Sequence, residues 1–143
     1  MAKAKSSIPE GNPLQAATEL YVVLDDHVGA IGEMSRILKK KNIAIQSVAV
    51  FVDSARLVVS DPEAALRKLQ EHGYSAELRA VLQANVPNKR GILADMTQKL
   101  GNAGVNIKYL YCSLHDRQRK GVIIMEVDKP EFALKLFRNH QFE

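Results

Sequence analysis

A segment led by a glycine occurs twice in this chain of 143 residues, the second copy starting 62 positions after the first. A repeat of this length exceeds the roughly 20 to 50 residues of a solenoid module, so it indicates one small α/β unit in two copies. Each copy places its glycine loop before a helix, which predicts a pair of comparable binding sites. The residues that match in register are Gly29 and Gly91, Met34 and Met96, Ser35 and Thr97, Leu38 and Leu100, and Ile45 and Ile107.

The first copy reads β-α-β-β-α. Apolar residues recur at helical spacing from Ile31 to Leu38, after a short apolar run of strand type. Asp61 followed by Pro62 is a strong helix start, and Gly73 is a suitable helix end. The pattern predicts strands over 20–24, 43–52 and 55–59, and helices after Gly29 and after Asp61.

The second copy repeats this order. Its second hairpin is longer because residues 115–120 are inserted, so the offset between the copies rises to 68 at the last helix. The predicted elements are strands over 82–86, 105–114 and 121–127, and helices over 92–102 and from Pro130. The order β-α-β-β-α-β predicts an α+β fold of two tandem ferredoxin-like units, with antiparallel sheets and both helices on one face.

Two connections limit this arrangement. Residues 74–86 must supply the last strand of the first unit and the first strand of the second, as one long strand or as two strands joined by a tight turn. After the last helix only residues 139–143 remain, so we expect the second unit to lack its own last strand. Its open edge must then be covered by the leader, by the other unit or by another chain.

The predicted organisation is a flexible leader over residues 1–13, a first unit over 14–80 and a second unit over 81–143. Units of about 60 residues would each bury only roughly 60% of their unfolded surface if they stood alone. We therefore expect them to pack on one another and on a second chain, which predicts a homodimer.

Composition predicts a cytoplasmic protein without a membrane segment. The longest apolar stretch, residues 43–52, is too short to span a bilayer, and the basic residues at the start have no apolar stretch behind them. Cys112 is the single cysteine, which excludes an internal disulfide and fits a reducing compartment. The net charge of +4 permits an anionic partner without requiring one.

The two glycine loops are the strongest candidates for a binding site. A loop that leads into a helix presents unpaired backbone N–H groups and the positive end of the helix dipole, which suit a carboxylate or a phosphate. Gly29 and Gly91 allow the backbone to approach a ligand closely. The alternative is that each glycine only lets its helix pack close to the strand.

Residues 88–94 with residues 104–107 resemble the pattern of the ACT domain: a polar residue, two variable positions and Gly-x-Leu, then Gly-x-Asn-Ile after the helix. Residues 26–31 with residues 42–45 match the same pattern more loosely. The resemblance covers both copies, about residues 18 to 139. The chain is thus similar to small stand-alone proteins made of two tandem ACT domains.

This resemblance implies a regulatory module that binds an amino acid or a similar small metabolite where two domains meet. It also implies that the carboxylate or amino group of the ligand meets the loop backbone and the asparagine that follows the first helix. In the second unit the implied ligand-binding residues are Asn88, Lys89, Arg90, Gly91, Ile92, Leu93 and Asn106. In the first unit they are Asp26, His27, Val28, Gly29, Ala30 and Ile31.

The first unit departs from the pattern, because Ala44 stands at the asparagine position and Asn42 at the glycine position. Alanine cannot make a polar contact with a ligand. We therefore expect one functional kind of site, built from the second-unit loop and Asn106. The alternative for Asn106 is that it ties up the backbone of the turn.

The other polar residues suggest no further chemistry. Asp25 and Asp26 are neighbours without a third acid or base, which favours a solvated loop, and His27 is either an exposed loop residue or a partner of a ligand carboxylate. The sequence predicts no metal site or other cofactor, because His72, His115, His140 and Cys112 lack metal-ligand spacing. Tyr109 and Tyr111 share one strand face and could line an interface pocket or serve packing.

Two other classes fit less well. No nucleophile with a positioned base is present, which argues against an enzyme. An RNA-recognition motif has the same element order, but Val122, Ile124 and Val127 stand where its stacking aromatics are needed, so nucleic acid is not an expected partner. The sequence predicts a sensor that signals through association with a regulated enzyme or regulator. A subunit that binds only protein remains an alternative.

Overall fold

The computed structural model describes residues 12–114, 117 and 119–142. Residues 1–11 of the predicted leader, which spans 1–13, lie outside the described residues, as do His115, Asp116 and Gln118 of the inserted hairpin and Glu143. Contacts divide the chain into the unit Thr18–Ala80, here called the N-terminal unit, and a C-terminal unit formed by Val81–Glu143 with Met1–Ala17. The elements are β1 (Leu14–Val23), α1 (Ala30–Lys40), β2 (Ile45–Val50), β3 (Ser54–Val59), α2 (Pro62–Glu71), β4 (Ala76–Pro87), α3 (Ile92–Asn102), β5 (Ile107–Ser113), β6 (Lys120–Val127) and α4 (Pro130–Leu136).

The N-terminal unit has the strand order β2-β3-β1-β4. Strand β3 pairs antiparallel with both β1 and β2, as the register Leu20 to Leu57 shows for the first pair. Alternate residues of β1 and β3 pack against both helices, so α1 and α2 cover the same face of the sheet. The fully buried centre of this core includes Leu20, Leu57, Met34, Leu38 and Leu69.

The C-terminal unit has the strand order β1-β4-β6-β5. Strand β6 pairs antiparallel with β4 and with β5. The core of this unit joins residues of the sheet, α3 and α4, among them Met96, Leu100, Ile123 and Phe137, none of which has measurable exposure. These elements confirm the predicted α+β, ferredoxin-like class.

The missing fourth strand of the C-terminal unit is supplied by the beginning of β1. Leu14 is 1% exposed and belongs to the same core as Phe137. The Asn85 N–H donates to the Pro13 carbonyl at 3.0 Å, and the Asn12 amide donates to the Leu134 carbonyl at 3.4 Å. Asn12 and Pro13, the last two residues of the predicted leader, are therefore held by the C-terminal unit.

Residues 76–87 form one long strand, which decides between the two arrangements that the sequence left open. In the N-terminal unit the first part of β4 lies beside the end of β1, where the Val23 N–H donates to the Ser75 carbonyl at 2.9 Å. In the C-terminal unit the rest of β4 pairs with β6, with Leu82 opposite Met125. One strand thus serves as the last strand of one unit and the first of the next.

The predicted start and end of α2 are also confirmed. The Asp61 side chain accepts a hydrogen bond from the Ala64 N–H at 3.2 Å and caps α2, and Pro62 is the first helical residue. Gly73 has a φ of 87° just after α2. None of the helices in the described part of the chain is long and apolar enough to cross a membrane.

Candidate ligand-binding site

Both helices that follow the repeated glycines begin in the same way. Gly29 has a φ of 89° and Gly91 a φ of 86°, and each is the N-cap of its helix without a side-chain cap. This left-handed conformation favours glycine, because a Cβ would be close to the following carbonyl oxygen. The two glycines therefore have a conformational role at the helix starts.

The first turn of each helix contains two backbone N–H groups without a hydrogen-bond acceptor among the described residues. The Ala30 N–H donates to the His27 carbonyl at 3.2 Å, and the first bond within α1 joins the Glu33 N–H to the Gly29 carbonyl at 2.9 Å. Ile31 and Gly32 lie between these donors, and their N–H groups have no acceptor among the described residues.

The same bonds occur at α3. The Ile92 N–H donates to the Lys89 carbonyl at 3.2 Å, and the Asp95 N–H donates to the Gly91 carbonyl at 2.9 Å. The N–H groups of Leu93 and Ala94 remain, again without an acceptor in the part of the chain that the structure describes. Each helix thus offers a pair of N–H donors at the positive end of its dipole.

The charges around the two pairs of donors differ. At α1, Asp25 and Asp26 are exposed on the loop, and the Glu33 carboxylate comes within 4.0 Å of the place where a Cβ on Gly29 would stand. The His27 ring nitrogen Nδ1 lies 2.9 Å from the Val28 carbonyl oxygen, so this ring is engaged with the backbone. This loop is acidic and favours a cationic group.

At α3 the loop carries Lys89 and Arg90, which are half-buried and exposed, respectively. Apart from the adjoining backbone and chain neighbours, no atom of the described residues comes within 4 Å of a Cβ built on Gly91. The backbone of the loop is anchored by the Asn88 N–H, which donates to the Arg119 carbonyl at 2.8 Å. The loop before α3 thus combines open donors with positive charge, as the binding of a carboxylate requires.

A cavity of about 340 Å³ lies where α1 begins in the N-terminal unit. Its wall combines Asp25, His27, Ala30 and Glu33 with the segment 72–75, which connects α2 to β4. The volume is at the small end of the range of about 300 to 1,000 Å³ that is typical of ligand pockets. Of the first-unit residues that the resemblance implies, His27 and Ala30 line this cavity.

Tyr74 also lines this cavity and contributes a phenol side chain. Burial raises the pKa of this phenol above its ordinary value of 10.0, and the nearby carboxylates of Glu33 and Asp25 raise it further. The hydroxyl therefore stays protonated at neutral pH and can donate a hydrogen bond. Sequence reasoning missed Tyr74 and Glu33 as cavity residues, because nothing in the spacing of the chain relates position 74 to the loop before α1.

Asn106 is tied to the end of β6 through its backbone. Its N–H donates to the Asp128 carboxylate at 2.9 Å, and the Asp128 N–H donates to the Asn106 carbonyl at 3.1 Å. In the N-terminal unit the Ala44 N–H donates to the Ser60 hydroxyl at 2.9 Å, and the Ser60 N–H donates to the Ala44 carbonyl at 3.0 Å. Asp128 thus holds the turn in the C-terminal unit, and Ser60 holds the equivalent turn in the N-terminal unit. The exposed Asn106 side chain is not needed to hold its turn.

The α3 loop and Asn106 lie at opposite ends of β6. Pro87, just before the loop, pairs with Lys120 at the start of this strand, whereas Asn106 is bonded to Asp128 just beyond its end. Seven steps of about 3.3 Å separate Lys120 from Val127, so the two candidate groups are on the order of 23 Å apart. One small ligand cannot touch both groups within one copy of the C-terminal unit.

The remaining candidates have ordinary environments. Ile92 is 2% exposed and Ala30 is buried, so each could offer a ligand only its backbone, whereas Val28 is fully exposed. Asn42 stands in the N-terminal unit where Gly104 stands in the C-terminal unit. Asn42 has a φ of 63°, in the same left-handed region that Gly104 occupies. Cys112 is exposed on β5, Tyr109 and Tyr111 are half-buried, and no metal-binding group of His, Cys, Asp or Glu occurs within the described residues.

Two ferredoxin-like units, each with a glycine loop at its first helix, define a tandem α+β fold. The chain belongs to the ACT domain pair family, whose model matches residues 16–142. A search among curated protein sequences gave no match.

Solved structures that share this fold include the following three. Protein BT0572 from Bacteroides thetaiotaomicron has a TM-score of 0.77 and 23% identity, with 87% of this chain and 88% of that chain covered. The ligand-free regulatory subunit of aspartate kinase from Thermus thermophilus has a TM-score of 0.63 and 19% identity, with coverage of 85% and 94%. Aspartokinase III from E. coli, in complex with lysine and aspartate, has a TM-score of 0.61 and 14% identity, with coverage of 95% and 35%.

Proposed function

We propose that this ACT domain pair is a cytoplasmic regulatory protein that binds a small amino acid or a related metabolite. The observation that carries the proposal is the loop before α3, where the open N–H groups of Leu93 and Ala94 stand beside Lys89 and Arg90. Backbone donors at a helix start, next to two cations, suit the carboxylate of such a ligand. The acidic loop before α1 is less suited to a carboxylate and favours an ammonium group.

The ligand site is completed by a second copy of the chain. The α3 loop and Asn106 are too far apart to share a ligand within one C-terminal unit, so Asn106 would have to come from the partner copy. Strand β2 lies at the edge of the N-terminal sheet. Val48 and Val50 on this strand, and Phe51 and Val52 directly after it, are each between 46% and 67% exposed. Apolar residues on an edge strand favour association with another chain, which supports a homodimer.

The signal is passed on by linkage. A ligand that binds better to one arrangement of the subunits shifts the population toward it, and a partner enzyme or regulator binds that arrangement preferentially. A ligand of about six to nine heavy atoms has a ceiling near −1.5 kcal/mol per atom, and practical affinities are micromolar to millimolar. The proposal includes no catalytic step, since regulation requires only this difference in affinity.

Support for the ligand class comes from the related structures. The regulatory subunit from Thermus thermophilus belongs to an aspartate kinase, and the E. coli aspartokinase III structure contains lysine and aspartate. Lysine and aspartate are therefore the first ligands to test, alongside the other amino acids.

The test is a thermal-shift screen of the twenty amino acids at millimolar concentration. A ligand at a hundredfold excess over its Kd adds about 2.7 kcal/mol, which raises the midpoint by several degrees for a chain of this size. Asn106→Ala should weaken binding by about 1 to 3 kcal/mol, because a polar contact is lost. Asn102→Ala is the matched control, since Asn102 is also exposed and lies outside the proposed site.

A flat screen would contradict the ligand proposal and leave the alternative of a subunit that binds only protein. Light scattering tests the association separately. A monomer at micromolar concentration, with and without ligand, would contradict a site completed by a second copy.

A further inference from the structure

A groove lined by positive charge runs between α1 and α2 of the N-terminal unit. Its volume is about 670 Å³. Arg36 and Lys40 line it from α1, Lys41 lines it from the position directly after α1, and Lys68 lines it from α2. Glu33 is the single carboxylate among the lining residues. The four cations that line the groove therefore outnumber its single carboxylate, and the groove carries a net positive charge.

The C-terminal unit contains the corresponding groove between α3 and α4, which serves as an internal comparison. It has a volume of about 500 Å³ and is lined by residues at the equivalent positions of the repeat. The acid is kept as Asp95, and the single cation is Lys99. The four cationic positions of the first groove are occupied here by Gln98, Asn102, Ala103 and Leu136.

The fold does not require these four cations. Cations in the last turn of a helix interact favourably with its dipole, which could explain Lys40. However, α3 has the same length of 11 residues as α1, packs in the same way and has Asn102 and Ala103 at the positions of Lys40 and Lys41. The cluster of four cations is thus specific to the groove between α1 and α2, and is not a general requirement for packing two helices in this fold.

Three of the four cations are available to a partner. Lys68 makes an ion pair with Glu71 at 3.4 Å, whereas Arg36, Lys40 and Lys41 make no ion pair with any described residue. Like charges held in one groove repel each other, and an anionic partner relieves that repulsion. The arrangement is costly for the isolated unit and favourable in a complex.

We propose that the α1–α2 groove of the N-terminal unit binds an acidic segment of a partner protein. The cations are spread over two helices, which suits carboxylates distributed along a peptide better than one compact anion. Ile37 and Tyr74 also line the groove and provide apolar contact for the peptide. Nucleic acid is disfavoured, because Tyr74 is half-buried and the groove presents no open row of stacking rings among its described residues.

The groove is close to the cavity at the start of α1. Glu33, His72 and Tyr74 line both spaces. A segment bound in the groove therefore contacts residues that also form the cavity. This docking surface goes beyond the proposed metabolite site and does not depend on it.

The experiment measures binding of a fluorescein-labelled peptide of eight glutamates to the full chain by fluorescence anisotropy at low salt, without metabolite. The test variant R36Q/K40N/K41A/K68L places the residues of the C-terminal groove in the N-terminal one. We expect its Kd to rise by about tenfold or more, and binding by the parent chain to weaken as salt is added. Circular dichroism verifies the fold, and the single variants K40N and K41A replace the quadruple variant if it unfolds.

A charge-matched control separates the groove from the net charge of the chain. The variant K39Q/R67Q/K135Q/R138Q removes four exposed cations that do not line the groove. It should bind the peptide nearly as well as the parent chain. Equal loss in both variants, or no measurable binding by the parent, would overturn the proposal. So would tighter binding of an eight-nucleotide uridine RNA through the same four residues, which would assign the groove to nucleic acid.

Discussion

Asn106 and Asp128 hold each other in place through a reciprocal pair of hydrogen bonds, from the Asn106 N–H to the Asp128 carboxylate and from the Asp128 N–H to the Asn106 carbonyl. Ala44 and Ser60 make the same pair of bonds in the N-terminal unit. This pair of hydrogen bonds is therefore part of the repeated unit. Its side-chain acceptor comes directly after β6 in the C-terminal unit and directly after β3 in the N-terminal unit. Asn106 is left free to use its side chain elsewhere.

Replacement of Asp128 by alanine should destabilise the chain by about 1 kcal/mol, because the Asn106 N–H loses its acceptor. The measurement is urea unfolding followed by circular dichroism. Asp128→Asn is the control, since its amide oxygen can still accept the bond. Equal destabilisation by both substitutions would show that charge, and not the hydrogen bond, matters at this position.

Gly91→Ala should destabilise the chain by about 1 to 2 kcal/mol, because alanine is strained at a φ of 86° although the surrounding space is open. Thermal unfolding measures the effect. Gly91→Asn should cost less, since asparagine tolerates this conformation, as Asn42 does at a φ of 63°. A neutral alanine substitution would contradict a conformational requirement for glycine.

Leu14→Ala should destabilise the C-terminal unit by about 2 to 5 kcal/mol, because it leaves a cavity in a core where Leu14 is 1% exposed. Hydrogen exchange of β4 and β6 would locate the loss, and urea unfolding would measure it. Thr18→Ala, at an exposed position of the same strand, should change little. A small effect of Leu14→Ala would indicate that the beginning of β1 is dispensable for this unit.

His140 should make stability depend on pH. Burial lowers the pKa of His140 below its ordinary value of 6.5, and the charge of Lys99 lowers it further. Between the two pKa values the unfolded chain binds the proton and the folded chain does not. Stability is therefore full above pH 6.5 and is lost as the pH falls through the lower, folded value.

The measurement compares urea unfolding at pH 7.5 and pH 5 for the parent chain and for His140→Gln. The variant should lose less stability on acidification, because the other titratable groups are common to both proteins. Lys99→Met should also reduce the loss of stability on acidification, but by less than His140→Gln. It removes only the effect of the Lys99 charge on the pKa of His140, and burial still lowers that pKa. An identical pH dependence in the parent chain and His140→Gln would refute the assignment to His140.

Features that depend on neighbouring residues could be predicted from the sequence. The start of α2 at Asp61 and Pro62 and the glycine before each repeated helix follow from local chemistry, and the structure confirms them. The repeat also makes Ala44 and Asn106 equivalent positions, and in the structure they make matching pairs of hydrogen bonds. The family resemblance rested on the same local patterns.

Features that join distant parts of the chain required the tertiary structure. Leu14 belongs to a core that is formed mainly by residues after position 81, and no local pattern relates it to Phe137. Similarly, the cavity at α1 brings Tyr74 to Glu33, and the register of β6 separates the α3 loop from Asn106. The sequence by itself thus determined the repeated unit and its loops, because these depend on backbone preferences and hydrophobic spacing. The tertiary structure alone decided which strand closes the C-terminal unit and which candidate residues can meet, because pairing between distant segments sets both.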